Sequence, residues 1–261
     1  FKDEKVLLDY VQRGNILLKN ENLKEDLTKK EFFNWLQFLS YDTNNNLISV
    51  AQSDSKKIKT ILAKLNILSV YEKWEQSGSL NKQLNSSEMY SILYQLIGYQ
   101  NLSEVQINQL NEMAKITSKE EKDYLTKNKG LDKKTAAIIY GRFLKRFQSI
   151  SEITPSQLIT SDKPLFIKEG PSSKFQHVID IPISKPFYII GKFGNIHFVK
   201  YNGKIGYLST NISFQVSQSE KNNYIVTSNQ VNVRLGPSTK FPVIRTVNKN
   251  EKLVGFQYNA D

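Results

Sequence analysis

The chain contains no cysteine. That excludes disulfide staples, thiolate metal sites and a cysteine nucleophile. Histidine is nearly absent too, with only His177 and His197 in 261 residues. A metal site or a catalytic triad would need both to converge on a carboxylate, and the pattern favours one exposed and one strand histidine. No apolar run approaches the roughly 18 residues of a membrane-spanning helix. Proline is missing from residues 1–150, and all seven prolines fall between Pro155 and Pro242. A proline-free half tolerates long helices, because proline removes a helical hydrogen bond and clashes with the preceding turn. The distribution divides the chain into a helical half and a strand-rich half, with the junction expected near 150–156.

What is present supports folded cores. Hydrophobic residues make up 39% of the chain and aromatics 11%, which argues against disorder. The net charge is +11. Basic residues outnumber acidic ones 23 to 18 in residues 1–150 and 13 to 7 in the remainder, so no single block carries the excess. Long-range attraction to a polyanion follows. Nucleic acid is the poorer choice, because no basic cluster is interleaved with aromatics in a recognisable motif.

A repeat organises the second half. Gly170-Pro171-Ser172-Ser173-Lys174-Phe175 and Gly236-Pro237-Ser238-Thr239-Lys240-Phe241 lie 66 residues apart. Glycine and proline punctuate strands, and apolar residues resume at once in Val178-Ile179 and Val243-Ile244. Before the second copy, Val231-Asn232-Val233-Arg234 alternates with the period of a half-buried strand. Phe187-Tyr188-Ile189-Ile190 reads as a buried strand and Lys192-Phe193-Gly194-Asn195 as a turn. Ile196 to Tyr201 is then expected to pair with Gly206-Tyr207-Leu208 through Asn202-Gly203, the strongest short hairpin signal.

The helical half carries a weaker repeat. Leu27-Thr28, Leu84-Asn85 and Leu131-Asp132 each place a leucine before an N-cap residue. Glu31 and Glu88 follow their caps by three positions and complete capping boxes, whereas Thr135 leaves the third incomplete. An apolar segment precedes each: Val6 to Val11, Ile61 to Leu65, and Ile107, Leu110, Met113 and Ile116. The unit is helix, loop, capped helix, three times, and one such unit could not bury its own apolar face.

Residues 1–150 resemble three S-layer-homology repeats, in which a helix, a loop and a second helix opened by a Thr-Arg-Ala-Glu-like motif recur. The resemblance implies a compact pseudo-threefold domain that binds secondary wall polysaccharide. The family's ligand-contacting arginine follows the N-cap, and the matching positions here are Lys29, Ser86 and Lys133. Lysine lacks the bidentate fork that grips a carboxylate. Residues 156–217, and in part 223–261, resemble bacterial SH3-like (SH3b) domains: a Val-Arg-x-Gly-Pro-Ser-like opening, a hydrophobic strand, a turn, an aromatic strand, then Tyr-Asn-Gly-Lys-x-Gly-Tyr. The resemblance implies two small barrels that bind peptidoglycan. The first barrel's closing hairpin would map beyond residue 261 in the second, so the second is expected to be truncated and the chain to be a fragment of a longer protein.

The fold class expected is therefore multidomain, an all-α repeat domain followed by all-β SH3-like barrels. The function expected is non-catalytic cell-wall binding and targeting within an exported Gram-positive protein, secreted to the wall or cell surface, with a peptidoglycan hydrolase as parent. The partners implied are peptidoglycan or an anionic wall polysaccharide, with no specific nucleic acid, no membrane span, no cofactor and no metal. Phe175, Phe198, Tyr201 and Tyr207 are the aromatics expected to line a ligand groove, since they supply flat apolar area with a polar tip. Lys29, Lys133 and Arg142 are the cations expected to meet a polyanion. Lys133, Lys134, Arg142, Lys145 and Arg146 form a stripe that reads as a solvated face ahead of polymer grip. Two rival functions stay open: a glycan-cleaving catalytic or regulatory domain in the helical half, with Glu31 and Glu88 as candidate acids that their capping boxes already explain, and a protein-interaction scaffold. Asp42-Thr43-Asn44-Asn45-Asn46 begins like a calcium loop but has Leu47 where glycine is needed and Ser53 where the glutamate belongs, so it reads as a polar loop.

Overall fold

In the computed structural model, residues 3–14, 16–17, 20–36, 55–128, 130–147, 157–172, 174–194, 196–208, 221–234, 239 and 241–256 are described. Eight helices precede ten strands among them. The helices are α1 (Glu4–Arg13), α2 (Lys29–Leu36), α3 (Ser55–Lys64), α4 (Leu68–Gln76), α5 (Ser86–Leu96), α6 (Glu104–Met113), α7 (Lys119–Lys127) and α8 (Lys133–Arg146). The expected junction near 150–156 and the calcium-like stretch from Asp42 to Ser53 lie outside the described residues.

Local chemistry starts the helices where the caps predict. The Thr28 amide donates to Glu31 Oε2 at 2.9 Å, and the Glu31 amide returns to Thr28 Oγ1 at 3.2 Å. Asn85 and Glu88 make the same reciprocal pair at 3.1 and 2.8 Å. Asp132 caps α8 by accepting from the Thr135 amide at 2.6 Å, with no return bond from a glutamate. The turns that end α1, α3 and α6 also match. The amides of Ile16, Ile67 and Ile116 each reach back five residues, to Val11, Leu62 and Asn111, at 3.1, 3.0 and 2.8 Å. These bonds satisfy carbonyls left open at helix C-termini.

The three leucines before the caps close a ring of backbone hydrogen bonds. Leu27 donates to Leu131 at 2.9 Å, Leu131 to Leu84 at 2.8 Å, and Leu84 to Leu27 at 2.8 Å. All three side chains are buried. The ring draws the N-termini of α2, α5 and α8 around one axis and satisfies backbone groups that burial would otherwise leave costly. Helix α8 is the most enclosed: Lys133, Arg142 and the run from Thr135 to Leu144 are all buried.

The strands are β1 (Gln157–Ile159), β2 (Leu165–Lys168), β3 (His177–Ile181), β4 (Phe187–Phe193), β5 (Ile196–Tyr201), β6 (Lys204–Leu208), β7 (Lys221–Ile225), β8 (Val231–Arg234), β9 (Val243–Val247) and β10 (Lys252–Phe256). The first six form one antiparallel sheet in the order β1-β4-β5-β6-β2-β3. The β5–β6 hairpin turns at Asn202 and Gly203 with φ of 47° and 71°, the positive pair such a two-residue turn requires. Strand β4 runs through Lys192 and Phe193, which the sequence assigns to a turn, so the turn is confined to its end, where Gly194 has φ 58°.

The 66-residue offset reappears in the strand register. Leu165 pairs with Ile181 and Val231 with Val247, and the bulge between Ile167 and Lys168 recurs between Val233 and Arg234. Strands β7 and β10 pair antiparallel, as β1 and β4 do, but with the register shifted by one residue from the 66-residue offset. The surroundings differ. In the first unit, Val199 of β5 and Leu208 of β6 close a small core over Leu165, Ile167, Ile181 and Phe187. In the second, β8 pairs only with β9 among the described residues, and Val231 is 40% exposed where its counterpart Leu165 is 3% exposed.

The sheet and the helices share one core. Phe147, at the end of α8, packs against Phe193, Phe198 and Tyr207 with ring centroids 5.4, 5.0 and 5.8 Å apart. Phe175 reaches back to Tyr10 of α1 at 4.7 Å. Its ring sits between two glycines that leave it room. A Cβ built on Gly14 would fall 2.2 Å from the ring, and one on Gly170 2.6 Å from it. The glycine of the first Gly-Pro-Ser loop thus serves close approach. Phe241, the counterpart of Phe175, is buried in the same core.

Candidate functional site

The leucine ring sets three comparable corners, and their chemistry differs. In α2 the first helical residue is Lys29. Its ammonium is buried, pairs with Glu88 of α5 and lies 4.4 Å from the centre of the Trp74 ring. In α8 the first helical residue is Lys133. It is buried among Glu21, Glu25 and Glu31, at 3.2, 3.0 and 3.1 Å. Burial pulls its pKa down, but the hydrogen bonds it donates to the three carboxylates outweigh that and raise it above the usual lysine range. Each lysine therefore bridges to the third residue of a neighbouring capped helix, Lys29 to Glu88 and Lys133 to Glu31. In α5 the matching first residue is Ser86, and in α8 the matching third residue is Thr135, so both members of the third ion pair are missing.

Beside Ser86 lies an open pocket of about 430 Å³, walled by the start of α5, one face of α6 and the end of α7. Such a volume is in the range of small-ligand sites. Tyr90, Ile107 and Leu125 supply its apolar surface, and most of the remaining lining ends in neutral amides or hydroxyls. Asn111 is 2% exposed and accepts from the Tyr94 hydroxyl at 2.7 Å through Oδ1, which leaves its amide nitrogen as a donor. Tyr90 is 5% exposed, and its hydroxyl has no hydrogen-bond partner. The charged lining groups are Glu104 and Lys122, and Lys122 is paired with Glu112 at 3.2 Å.

The structure places the sequence-selected residues elsewhere. Phe175, Phe198 and Tyr207 are buried where the sheet meets the helices, and the Tyr207 hydroxyl donates to the Leu144 carbonyl at 2.7 Å. Tyr201 is half-buried against the small sheet core. None of the four borders the pocket at Ser86. Arg142 makes a two-pronged pair with Glu121 at 2.5 and 2.9 Å and donates to the Ile116 carbonyl at 2.7 Å, all out of solvent. The basic stripe on α8 is thus divided between two internal members and three that reach solvent. Lys133 and Arg142 are internal, Lys134 pairs with Glu4 at 2.6 Å, Lys145 lies 4.7 Å from the Tyr10 ring centre, and Arg146 donates to the Lys115 carbonyl.

The other chemical candidates resolve into local contacts. Glu31 is pushed up by burial but held below its usual pKa by the Thr28 amide and hydroxyl and by Lys133. Glu88 is taken by its cap and by Lys29. His177 pairs with Asp180 at 2.5 Å on the surface, and His197 is pushed down to about 4 by burial and by Lys192. Among the described residues no group of three or more His, Asp or Glu is arranged to hold a metal, and no helix is long and apolar enough to cross a membrane. Sequence reading missed the pocket. Its visible trace was the break in the lysine pattern at Ser86, together with the Ser118-x-x-Glu121 capping box that starts α7. Among known proteins, no family model, no curated protein and no solved structure matches the chain.

Proposed function

We propose that the chain is a non-catalytic cell-wall-binding and targeting segment of an exported bacterial protein. In this reading the helical half is an S-layer-homology-like triple repeat, and the strands form SH3-like barrels. The parent is a peptidoglycan hydrolase carried to its substrate by this segment. The observation that carries the reading is the pocket at Ser86, a concave site of neutral amides and hydroxyls over apolar side chains, a lining suited to holding a polyhydroxylated polymer. The ring of Leu27, Leu84 and Leu131 supports the threefold arrangement of the helical units. The excess of positive charge draws the chain toward an anionic wall.

The glycan-cleaving alternative finds less support. Such an enzyme uses one carboxylate as acid and another as base or nucleophile about 5–9 Å apart. Glu31 and Glu88 are instead each engaged by a helix cap and a lysine.

Sedimentation with insoluble peptidoglycan tests the proposal. The chain is expected in the pellet at low salt. Full recovery in the supernatant, or clearing of the wall suspension by the chain alone, would overturn it.

A further inference from the structure

The two copies of the Gly-Pro-Ser unit hold the same strand in different surroundings. In the first, β2 is paired on both sides, with β3 and with β6, where Ile167 meets Leu208 and Lys168 meets Tyr207. In the second, its counterpart β8 pairs with β9 alone among the described residues. We infer that the β8–β9 face is a docking surface for an acidic β-strand of a partner protein, added edge to edge along β8. The inference goes beyond the wall-binding reading and does not rest on it.

In the first unit the inner side of this ribbon is filled. Leu165, Ile167 and Ile181 are buried in one small core with Val199 and Leu208. In the second unit the matching residues are Val231, Val233 and Val247, each one carbon smaller, and Val231 stands exposed. Arg245 lies opposite Val233 in the register position that Ile179 holds opposite Ile167. An arginine there resists an all-apolar cover and favours one that brings a carboxylate. Tyr224, Ile225, Val243, Ile244 and Val254 are exposed as well, a concentration of apolar surface that marks an interaction site rather than scattered residues. The open backbone groups of an edge strand are a template for another strand.

Charge and shape select the partner. Residues 221–256 hold six basic side chains against one acidic, Glu251, which Arg245 already reaches. The matching stretch 155–190 holds four against three. A second copy of the chain would bring the same excess and be repelled, whereas an acidic strand is attracted. In the first unit β6 approaches β2 so closely that a Cβ on Gly206 would fall 2.4 Å from the Lys168 carbonyl oxygen. The partner strand therefore carries glycine where it passes Arg234, the counterpart of Lys168. The face is also held in place before a partner arrives. Gln106 of α6 donates to the Val243 carbonyl at 3.3 Å, and Phe241 is buried in the core shared with the helices.

The probe is a synthetic hairpin with the sequence of residues 196–208, in which Lys200→Glu and Lys204→Glu make it acidic while Gly206 and Leu208 are kept. Its binding to the full chain is followed by fluorescence anisotropy, and the site is located by amide hydrogen exchange. One saturable site is expected, weakened by salt, with exchange slowed along β8. The same hairpin with its lysines retained is expected to bind at least about tenfold more weakly. Val231→Glu is expected to abolish binding and Arg245→Gln to weaken it. Both side chains are exposed, so both variants should keep the wild-type melting temperature, and the second guards against a misfolded first. Absence of binding, equal binding of the two hairpins, wild-type binding by both variants, or protection confined to other strands overturns the inference. A dimer in light scattering that Val231→Glu dissolves would give the face to a second copy instead. Binding to phosphatidylglycerol vesicles without binding to the hairpin would give it to a lipid surface, and either result overturns the strand partner.

Discussion

The hydroxyl of Tyr207 donates to the carbonyl of Leu144 across 2.7 Å, and this bond ties β6 of the sheet to the last turns of α8. Leu144 has one of the final carbonyls of its helix, a group with no partner inside the helix. The tyrosine therefore does two things at once. Its ring fills the space between Phe147 and Phe198, and its oxygen caps a buried acceptor. Burial accordingly pushes the phenol pKa well above its usual value.

Tyr207→Phe separates the two roles. It keeps the ring and strands the Leu144 carbonyl, so a loss of about 1–3 kcal/mol is expected. Urea unfolding followed by tyrosine and tryptophan fluorescence measures it. No change in the midpoint would show that the carbonyl finds another donor.

Phe175→Ala should cost more. The ring lies between Gly14 and Gly170 against Tyr10, a site shaped by glycines that cannot collapse onto the void without moving backbone. Removing such a ring from a packed core costs about 3–5 kcal/mol. Limited proteolysis should then cut within the loop around Gly170 before the helices are degraded. If the variant stays as resistant as the wild type, the first Gly-Pro-Ser loop is held by something other than this ring.

How much of this was legible follows from the range of each interaction. The caps at Thr28, Asn85 and Asp132 were readable because donor and acceptor lie three residues apart. The Gly-Pro-Ser repeat gave a strand register that recurs at the same offset, because a turn and its two strands are a local unit. The leucine ring was not readable, although its members stood out, because each bond joins residues from different units. Helix α4 starts at Ile67 without a side-chain cap, so it left no signal in the pattern. Lys29, Lys133 and Arg142 looked like ligand-facing cations because charged residues are rarely internal. Their carboxylate partners arrive from other elements, Glu88 from α5 and Glu121 from α7. The aromatics Phe175, Phe198 and Tyr207 looked available because nothing in the sequence shows that the sheet packs onto α8.

The Arg142–Glu121 pair makes a two-step prediction. Replacing arginine alone leaves a buried carboxylate uncompensated, which costs about 3–5 kcal/mol. Glu121 also accepts from the Ser118 amide at 2.8 Å and so starts α7. Glutamine in its place keeps that cap and discards the charge. Arg142→Met is therefore expected to be strongly destabilising, and Arg142→Met with Glu121→Gln to recover most of the loss. Thermal and urea unfolding of the two variants decide it. If the double variant is no better than the single, the arginine contributes through its bond to the Ile116 carbonyl rather than through charge.

His197 predicts how stability falls in mild acid. Burial in β5, assisted by the positive charge of Lys192, lowers its pKa to about 4 in the folded chain. In the unfolded chain the value returns to about 6.5. Between those limits the unfolded state binds a proton that the folded state refuses. Stability is therefore complete above about pH 6.5 and is lost as pH falls toward the folded value. Glu31 acts lower. Its folded pKa is depressed, so its contribution is present above the unfolded carboxylate value of about 4.3 and disappears only below it. His197→Gln should remove the first window and leave the second. Comparing urea midpoints at pH 7 and pH 5 isolates the histidine, because Glu31 stays ionised across that interval. The wild type is expected to lose more stability than His197→Gln over that step, and equal losses would place the proton uptake on another group.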